Sequence, residues 1–562
     1  MLDIVSLNGY KIKDEKAVRS YESVASMKAD TKLKEGYHIK TKGYHEANDG
    51  GHGEYVIVND DTLVDDGGSI HVLNNGLRAV LIIDDMVNVK QFGAYGDGVQ
   101  NDSSYIQTAL NYVSSTQEQG NAGSIFTIKS LYIPKGKYLV SDGLIYNNAK
   151  LTLYGESSIL IGDGSNTILQ FNNYGHHVII KNLVFQNCGV ALDFSINDVD
   201  QSINEIYECK FSGCSYKAIY YNDQSSMLTI NKCHFRDCEM FLHHYKGDNV
   251  TINDCWLFDK LHTQDGACSI LTNGGALKIN NCFFIPAGSE QTASDLAWIE
   301  VNATAGQILS ITNCRLSTEK GYKRTVNFKG TREQASQKYI INILNNHILS
   351  GRDCLIKLYT FCPIIRIENN NIYTTDKFIT TGSDFTLTQG SYTAGTFFNQ
   401  YIVSIYNNSS QIKTIYEVNS TDSDLFSVIQ SDKPFYINAT TFKKYIGNYQ
   451  FNLAGIDTPT FPVKVRYYRS SGVTGYHIIY GYISFYDNGG QITPKFTAIE
   501  KTTSGDNLDI KVETKVGGTV TTDLSYISSS QSYGEIWLLI KLSDDSSAHS
   551  ETVRFYNKIT EY

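Results

Sequence analysis

The sequence predicts an all-β protein: a right-handed parallel β-helix between a small N-terminal domain and a C-terminal β-sandwich-like domain. Three observations carry this. A short phrase, Ile-x-polar-Cys/Asn-x-apolar, recurs through the middle of the chain, as in Ile206-Tyr-Glu-Cys-Lys-Phe211 and Ile230-Asn-Lys-Cys-His-Phe235. It returns at 252–257, 279–284, 311–316, 343–348 and 367–372, with looser copies at 180–185 and from Ile405. Successive starts lie 26, 24, 22, 27, 32, 32, 24 and 38 residues apart, which suits stacked units that share a core strand and differ in their loops. Within the phrase, apolar positions alternate with polar ones and β-branched residues are common, the signature of strand and turn. The dense leucine pattern of a leucine-rich solenoid is missing.

Taken in order, residues 1–85 come first. They hold a turn-rich stretch, Gly43-Tyr-His-Glu-Ala-Asn-Asp-Gly-Gly-His-Gly-Glu-Tyr55, among short strands expected at 56–58, 69–73 and 79–83. His45 and His52 raise a metal site as one reading and Gly-rich turn chemistry as the plainer one. Residues 86–412 are the solenoid. Rungs of a parallel sheet lie about 4.8 Å apart, so each position of the repeat becomes a column of like side chains. One column reads Cys209, Cys233, Cys255, Cys282, Cys314 and continues as Asn346, Asn370 and Asn408; a second reads Cys188, Cys214, Cys238. Small thiols suit a tight interior turn, and Asn can hydrogen-bond its own kind up a stack. Metal binding is the alternative reading, although no C-x-x-C pair occurs, and the odd total of 11 cysteines sits poorly with a disulfide framework. Residues 413–562 lose the repeat and show longer alternating runs at 463–468, 476–485 and 535–542, with Asp487-Asn-Gly-Gly490 as a hairpin turn.

Composition narrows the partners. With 48 basic against 58 acidic residues the net charge is −10, and no Lys/Arg-rich run exists, so nucleic acid and anionic membrane are not expected partners. No run of 18 apolar residues is present, so membrane insertion is not expected. The first nine residues, Met1-Leu-Asp-Ile-Val-Ser-Leu-Asn-Gly9, lack a basic segment followed by an apolar one and do not read as a secretory signal.

The segment Val89-Lys-Gln-Phe-Gly-Ala-Tyr-Gly-Asp-Gly-Val-Gln-Asn-Asp-Ser-Ser-Tyr-Ile-Gln-Thr-Ala-Leu110 closely resembles the opening of pectate-lyase-like β-helices, and Leu131-Tyr-Ile-Pro-Lys-Gly-Lys-Tyr-Leu-Val140 resembles their next strand. Physically, Gly96 and Gly98 permit a tight turn, Asp102 is placed to cap a helix, and Ile106, Ala109 and Leu110 give that helix an apolar face to plug the open end of the solenoid. The stretch 43–55 with Asp66-Gly-Gly68 looks like the small attachment domain of bacteriophage tailspikes and preneck appendages. That resemblance implies a homotrimeric virion protein, assembled in the host cytoplasm and joined through residues 1–85 to phage tail or collar proteins. It implies binding of a host surface glycan (capsule or wall polymer), often with cleavage. The C-terminal domain is then expected to serve trimerisation or carbohydrate binding. No cofactor and no metal are expected.

A site for such a glycan can be sought by aligning the strand that follows each phrase. One column reads Asp193, Tyr220, His243, Leu271, Glu300, Asn327, Lys357 and Thr380, each preceded by Leu, Ile or Val. Alternation turns the apolar neighbour inward and the column outward. A polar, aromatic-edged face offers sugars both stacking and hydrogen bonds. Longer loops near 258–268 and 285–298 add Asp259, His262, Asp265, Glu290, Asp295 and Trp298. Glycoside hydrolysis needs two carboxyls roughly 5–10 Å apart, and Glu300 with Asp295 is the favoured pair, Asp259, Asp265 and Glu290 being alternates. Asp193, Tyr220, His243, Asn327 and Lys357 are expected to contact the sugar, and Trp298 to offer a stacking edge. A lyase would use a base beside Lys or Arg, which Glu300, Lys357 and Arg324 satisfy only loosely. A non-catalytic adhesin on the same scaffold, a site shared between subunits and, for any single residue, a merely solvated face are the other readings.

Overall fold

In a computed structural model of the chain, the described residues are 19–381, apart from loop stretches such as 195–202, 287–294 and 330–338, and beyond 381 mainly the strands up to Tyr556. The chain forms two compact units, 1–260 and 261–562.

The first unit opens with a five-stranded sheet ordered Arg19–Tyr21, His38–Thr41, Gly53–Val58, Arg78–Leu81, Ile70–Val72. Alternation in the central strand buries Tyr55 and Ile57. The Gly-rich stretch before it is organised by one carboxylate: Asp49 accepts from the main-chain N–H groups of Tyr44, His45, Glu46 and Gly51 at 2.7–3.2 Å. Gly51 has to be glycine, because a Cβ there would stand 2.3 Å from the carbonyl oxygen of Lys90. His45 stacks on Tyr95 at 3.9 Å and its Nε2 lies 2.7 Å from the Gly93 carbonyl, so it packs this domain on the start of the solenoid.

The plug expected at the solenoid's open end is the helix Ser103–Ser115, which buries Ile106, Ala109, Leu110 and Val113. Gln107 both accepts from Ile145 N–H and donates to its carbonyl, at 2.8 Å each, bonding the helix to the first rungs. The capping role expected for Asp102 is corrected. Asp102 stands at the N-cap position without a side-chain capping bond. Its carboxylate turns back to accept from Tyr95 N–H (2.6 Å) and Gly96 N–H (3.1 Å), bracing the glycine turn, and Asn101 accepts from Ser103 N–H instead. Burial pushes the Asp102 carboxyl up to about 6 despite these two bonds.

In each unit the rungs are built alike, from three short strands. Met227–Asn231, His234–Arg236 and Leu242–Lys246 make one in the first unit; Ile308–Thr312, Arg315–Ser317 and Arg324–Phe328 make one in the second. The first and second strands meet at a bend whose leading residue is left-handed: Ser157, Asn182, Glu208, Lys232, Asp254, Asn281, Asn313, Asn345 and Asn369 all have φ between 51° and 59°. The residue after it turns inward, and where it is Ser, Cys or Asn it forms a ladder. Cys233 N–H donates to Cys255 Sγ (3.3 Å), Cys282 N–H to Cys314 Sγ (3.4 Å), Cys314 N–H to Asn346 Oδ1 (2.8 Å), Asn346 N–H to Asn370 Oδ1 (2.9 Å) and Asn370 N–H to Asn408 Oδ1 (3.0 Å). In return each side chain points its donor at the preceding rung: Cys209, Cys233, Cys255 and Cys314 at isoleucine carbonyls 3.6–3.7 Å away, and the amides of Asn346, Asn370 and Asn408 at isoleucine carbonyls 2.7–2.9 Å away. The second cysteine column is also buried, with Cys188 and Cys214 sulfurs 3.7 Å apart, and the ten described cysteines are all unbridged. Phe185, Phe211 and Phe235 stack between the columns at 5.2 and 4.9 Å; burying each such ring contributes about 2–3 kcal/mol.

In the second unit the parallel ladder runs past residue 412: Thr414–Glu417 pairs with Lys377–Thr381, and Ile429–Ser431 with Ile402–Tyr406. Beyond it lie two antiparallel sheets, one of six strands and one of four. Tyr476–Asp487 and Gln491–Thr503 pair antiparallel, as a hairpin turn between them requires. Among the described residues no helix is long and apolar enough to cross a membrane.

The ladder makes a sharp prediction. Asn370→Ala strands the Asn346 N–H and the Ile343 carbonyl in the interior, costing about 2–5 kcal/mol for two orphaned groups, whereas Asn370→Cys restores a donor and an acceptor the column already uses. Chemical unfolding should place N370C clearly nearer wild type than N370A; equal loss in both would contradict the ladder.

Candidate functional site

The outward column aligns as the sequence implied. In the first unit Asp193 is the register partner of Tyr220, and Tyr220 of His243. In the second unit Leu271 pairs with Glu300, Glu300 with Asn327, Asn327 with Lys357 and Lys357 with Thr380. The preceding residues, from Leu192 to Ile379, are all buried. The two units differ in how the column meets solvent. Asp193, Tyr220 and His243 are half-buried, but Glu300 and Asn327 are buried.

Trp298 requires a correction. It was expected to present a stacking edge, but its ring is fully buried. Its indole N–H donates to the Ser317 carbonyl at 3.0 Å, and the ring meets Phe284 edge-on at 5.1 Å. An indole whose N–H finds a carbonyl in the interior gains more from packing than from a wet rim. It cannot stack on a sugar.

Asp295 and Glu300 do take part in one polar cluster. Asp295 Oδ1 accepts from Arg324 Nη1 (2.6 Å) and Lys357 Nζ (2.8 Å), and Oδ2 accepts from the Tyr359 hydroxyl. Arg324 also reaches Asn327 Oδ1 at 2.9 Å, and Asn327 Nδ2 donates to the Asp295 carbonyl at 3.1 Å. Glu300 Oε2 stands 2.8 Å from Lys329 Nζ. The ammonium groups of Lys357 and Lys329 lie 4.7 and 5.3 Å from the centre of the Tyr359 ring. Burial opposes ionisation of Asp295, but the bonds from Lys357, Tyr359 and Arg324 outweigh it and hold the carboxyl far below the usual range. Burial and the Asp295 bond raise the Tyr359 hydroxyl. Burial likewise opposes the charge on Lys329 and Lys357, and their carboxylate partners win, so both stay cationic. Asp295 is thus a fixed anion and cannot deliver a proton at neutral pH.

Of the alternates, Asp259 is buried, Asp265 is exposed and Glu290 lies outside the described residues; His262 is buried. Sequence reasoning missed Tyr359 and Lys329 here, and Tyr245 in the first unit. The signal was present: each lies two residues beyond a column member (Lys357, Asn327, His243), where alternation places the next outward side chain, within the strand for Tyr245 and just past its end for Lys329 and Tyr359. In the first unit the result is an aromatic group. Tyr220 lies 5.1 Å from His243 and 6.2 Å from Tyr245, and His243 meets Tyr245 edge-on at 5.6 Å. Tyr216 and Tyr245 are 60% and 42% exposed, which leaves ring faces open to a ligand.

Comparison with known proteins agrees with this architecture. Residues 86–315 match the family model described as rhamnogalacturonase A/epimerase, pectate lyase-like, and residues 20–84 match the phage tail protein small four-stranded beta-sheet domain. No curated protein matches the chain. Among solved structures, the tailspike protein of Acinetobacter phage vB_ApiP_P1 is similar over 96% of this chain and 99% of its own, at TM-score 0.51 and 12% identity. A tailspike protein of Acinetobacter baumannii bacteriophage Fri1, a capsular polysaccharide depolymerase, is similar over 96% and 98% at TM-score 0.39 and 13% identity. Pantoea stewartii WceF, a glycan biofilm modifying enzyme, is similar over 97% and 72% at TM-score 0.39 and 12% identity. The first of these likenesses is one of fold alone.

The cluster has a pH signature. Because the folded-state carboxyl of Asp295 is depressed, its stabilisation is complete above the ordinary carboxylate value and is lost as pH falls below about 4. Asp295→Ala leaves Arg324, whose side chain is only 4% exposed, without its carboxylate, and should cost about 2–4 kcal/mol near neutral pH, less than a fully buried pair because water reaches Asp295. Unfolding midpoints of wild type and variant should keep a constant gap above about pH 4 and converge as pH is lowered from about 4 towards about 2; a gap that does not narrow there would contradict this assignment.

Proposed function

We propose that this chain is a phage tail-appendage protein that binds a host-surface polysaccharide through its β-helix and depolymerises it. The observation that carries this is a succession: a phage-tail β domain, then a pectate-lyase-like β-helix whose outward column gathers two carboxylates, three cations and a tyrosine in the second unit and an aromatic group in the first. In this reading residues 1–85 attach to the virion, the solenoid from residue 86 engages the glycan, and the antiparallel sheets beyond the parallel ladder serve trimerisation or receptor binding. The Fri1 tailspike's description as a capsular polysaccharide depolymerase makes capsule a natural first polymer to test.

Within this proposal, hydrolysis is favoured over elimination. Elimination needs a cation available to neutralise the substrate's carboxylate, yet Arg324 and Lys357 are already committed to Asp295, and Lys329 to Glu300. Hydrolysis needs one carboxyl that titrates and one negative charge that does not. Asp295, held ionised, suits the fixed charge that steadies a developing oxocarbenium ion. Glu300, ion-paired to Lys329, is the other carboxyl of the pair. Both adjoin Asn327: Glu300 as its register partner and Asp295 through its main-chain carbonyl. One observation favours the rival adhesin reading: the donors on Asp295 leave it little capacity for a substrate, as befits a rigid binding platform.

Purified capsular and wall polysaccharides incubated with the protein should shorten, as followed by size-exclusion chromatography. Glu300→Gln should abolish shortening and spare binding, because it removes the carboxyl and little shape. Binding without shortening by wild type would install the adhesin reading. The proposed homotrimer should sediment at three times the chain mass at micromolar concentration, and a monomer would overturn that part.

A further inference from the structure

We propose that His71 makes the N-terminal domain an acid-sensitive coupling: protonating its buried ring loosens the five-stranded sheet and, with it, the grip on the start of the solenoid. As a coupling to the virion this rests on the attachment reading of residues 1–85; as acid sensitivity of the fold it stands by itself. His71 lies on the edge strand Ile70–Val72 and is only 1% exposed. Among the described residues its Nε2 is buried without a hydrogen-bond partner, and its Nδ1 stands 3.8 Å from Asp65 Oδ1, beyond bonding reach.

The elements packed around the ring each contribute a group. The loop before the strand brings Asp65 and Asp66, and the helix Val24–Lys28 brings Lys28. The Gly-rich stretch brings Tyr44, edge-on at 5.9 Å, and the central strand brings Tyr55 at 5.7 Å. On the neighbouring strand His71 is opposite Ala79, and Arg78 there is bonded to the Leu63 and Gly76 carbonyls. Both carboxylates are already engaged. Asp65 accepts from Lys28 Nζ (2.8 Å) and from the N–H groups of Val72 and Gly67 (2.9 Å each). Asp66 accepts from the N–H groups of Gly68 and Ile70, at 2.8 and 2.9 Å, and from the Ser69 hydroxyl.

An imidazolium has two N–H donors, and this site offers neither nitrogen an acceptor within reach. Charging a ring withdrawn from water without one is unfavourable. Burial, reinforced by Lys28, outweighs Asp65 and Asp66 and takes the ring from 6.5 down to about 4. The unfolded chain therefore takes up its proton first as pH falls. The stability tied to His71 is full above about 6.5 and is lost between there and about 4. Nearby carboxylates act elsewhere on the scale. Burial opposes ionisation of Asp49 and Asp65, but their donors win and hold both below the ordinary range, so their contribution is lost only below about 4. Asp102, on the solenoid side, has the opposite sign: burial raises its carboxyl to about 6, so the cap firms as pH falls through that value.

The neighbours of His71 lead to the joint. Tyr44 donates its hydroxyl to the Gly67 carbonyl at 2.7 Å. The next residue, Gly68, lies so close to the buried Phe92 ring that a Cβ would stand 2.0 Å from it. A charge on His71 is thus felt where the domain meets the solenoid.

Full-length protein can be followed by hydrogen–deuterium exchange at pH 7.5 and pH 5, corrected for intrinsic rates. Peptides over 53–81 and 89–94 should open about thirtyfold more at pH 5, the ratio that midpoints of 6.5 and about 4 give. Peptides of the helix Ser103–Ser115 should not open more. His71→Phe and His71→Gln should each remove the pH dependence. In wild type, exchange at the histidine ring Cε1–H, read by mass spectrometry, should place the His71 midpoint below pH 5, with no variant needed. The inference is overturned by equal opening at the two pH values, by the same dependence in both variants, by equal loosening of the helix, or by a His71 midpoint near 6.5. Glycan plays no part in these readouts, so the coupling and the depolymerase reading fail separately.

Discussion

Everything in the solenoid depends on one bend repeated in register. A left-handed residue turns the chain between the first and second strands of a rung, and the next residue is driven inward, where its side chain must satisfy groups on the rungs to either side. Thiol, hydroxyl and amide all meet the requirement. Ser158 donates to the Ile133 carbonyl at 2.7 Å near the start of the first unit, cysteines do so weakly through its later rungs, and in the second unit Asn346, Asn370 and Asn408 do so strongly. Leu183 fills the same place with apolar packing alone, but a charged side chain fails, because stacking at about 4.8 Å leaves no water. With the bend held, the strand after it is placed to within one residue, and so is every outward side chain.

This is why much of the fold is legible in the sequence. The ladder residues sit in the most regular phrase of the chain, and the outward column follows from counting at a fixed offset from an inward aliphatic residue. The repeat alone therefore sets the register of Glu300, Asn327 and Lys357. It does not set their surroundings. Trp298 and Glu300 share an outward face by alternation, but whether such a face meets water depends on loops of irregular length, which no repeat governs. A tryptophan near acidic residues looks the same in sequence whether it lines a groove or fills a corner. Asp102 teaches the same lesson on a smaller scale: an aspartate before a helix suits capping, and here the two N–H groups of the glycine turn compete for it and win.

The polar cluster divides labour by charge. Three donors on Asp295 fix it as an anion, and that anion in turn orders Arg324, Lys357 and Tyr359, which come from two adjacent rungs. Two carboxylates close in sequence thus end in different electrostatic settings, one saturated with donors and one facing a single lysine. Composition alone does not tell them apart. The distinction comes from which rung supplies the cations, and that is set by strand pairing, not by the local sequence of either acid.

The bend carries a further consequence for how long the protein lasts. A left-handed turn at a residue with a side chain costs about 1–2 kcal/mol, and nine such turns are described, none of them at glycine. In the cysteine and asparagine rungs it is offset by bonds to neighbouring rungs, so such a rung cannot loosen alone without keeping its strain and losing those bonds. Opening has to start at an end, where the helix Ser103–Ser115 covers one terminus. Persistence in a harsh medium is then governed by the rate at which ends fray and not by the total free energy of the stack, and a protease meets a clock more than an equilibrium.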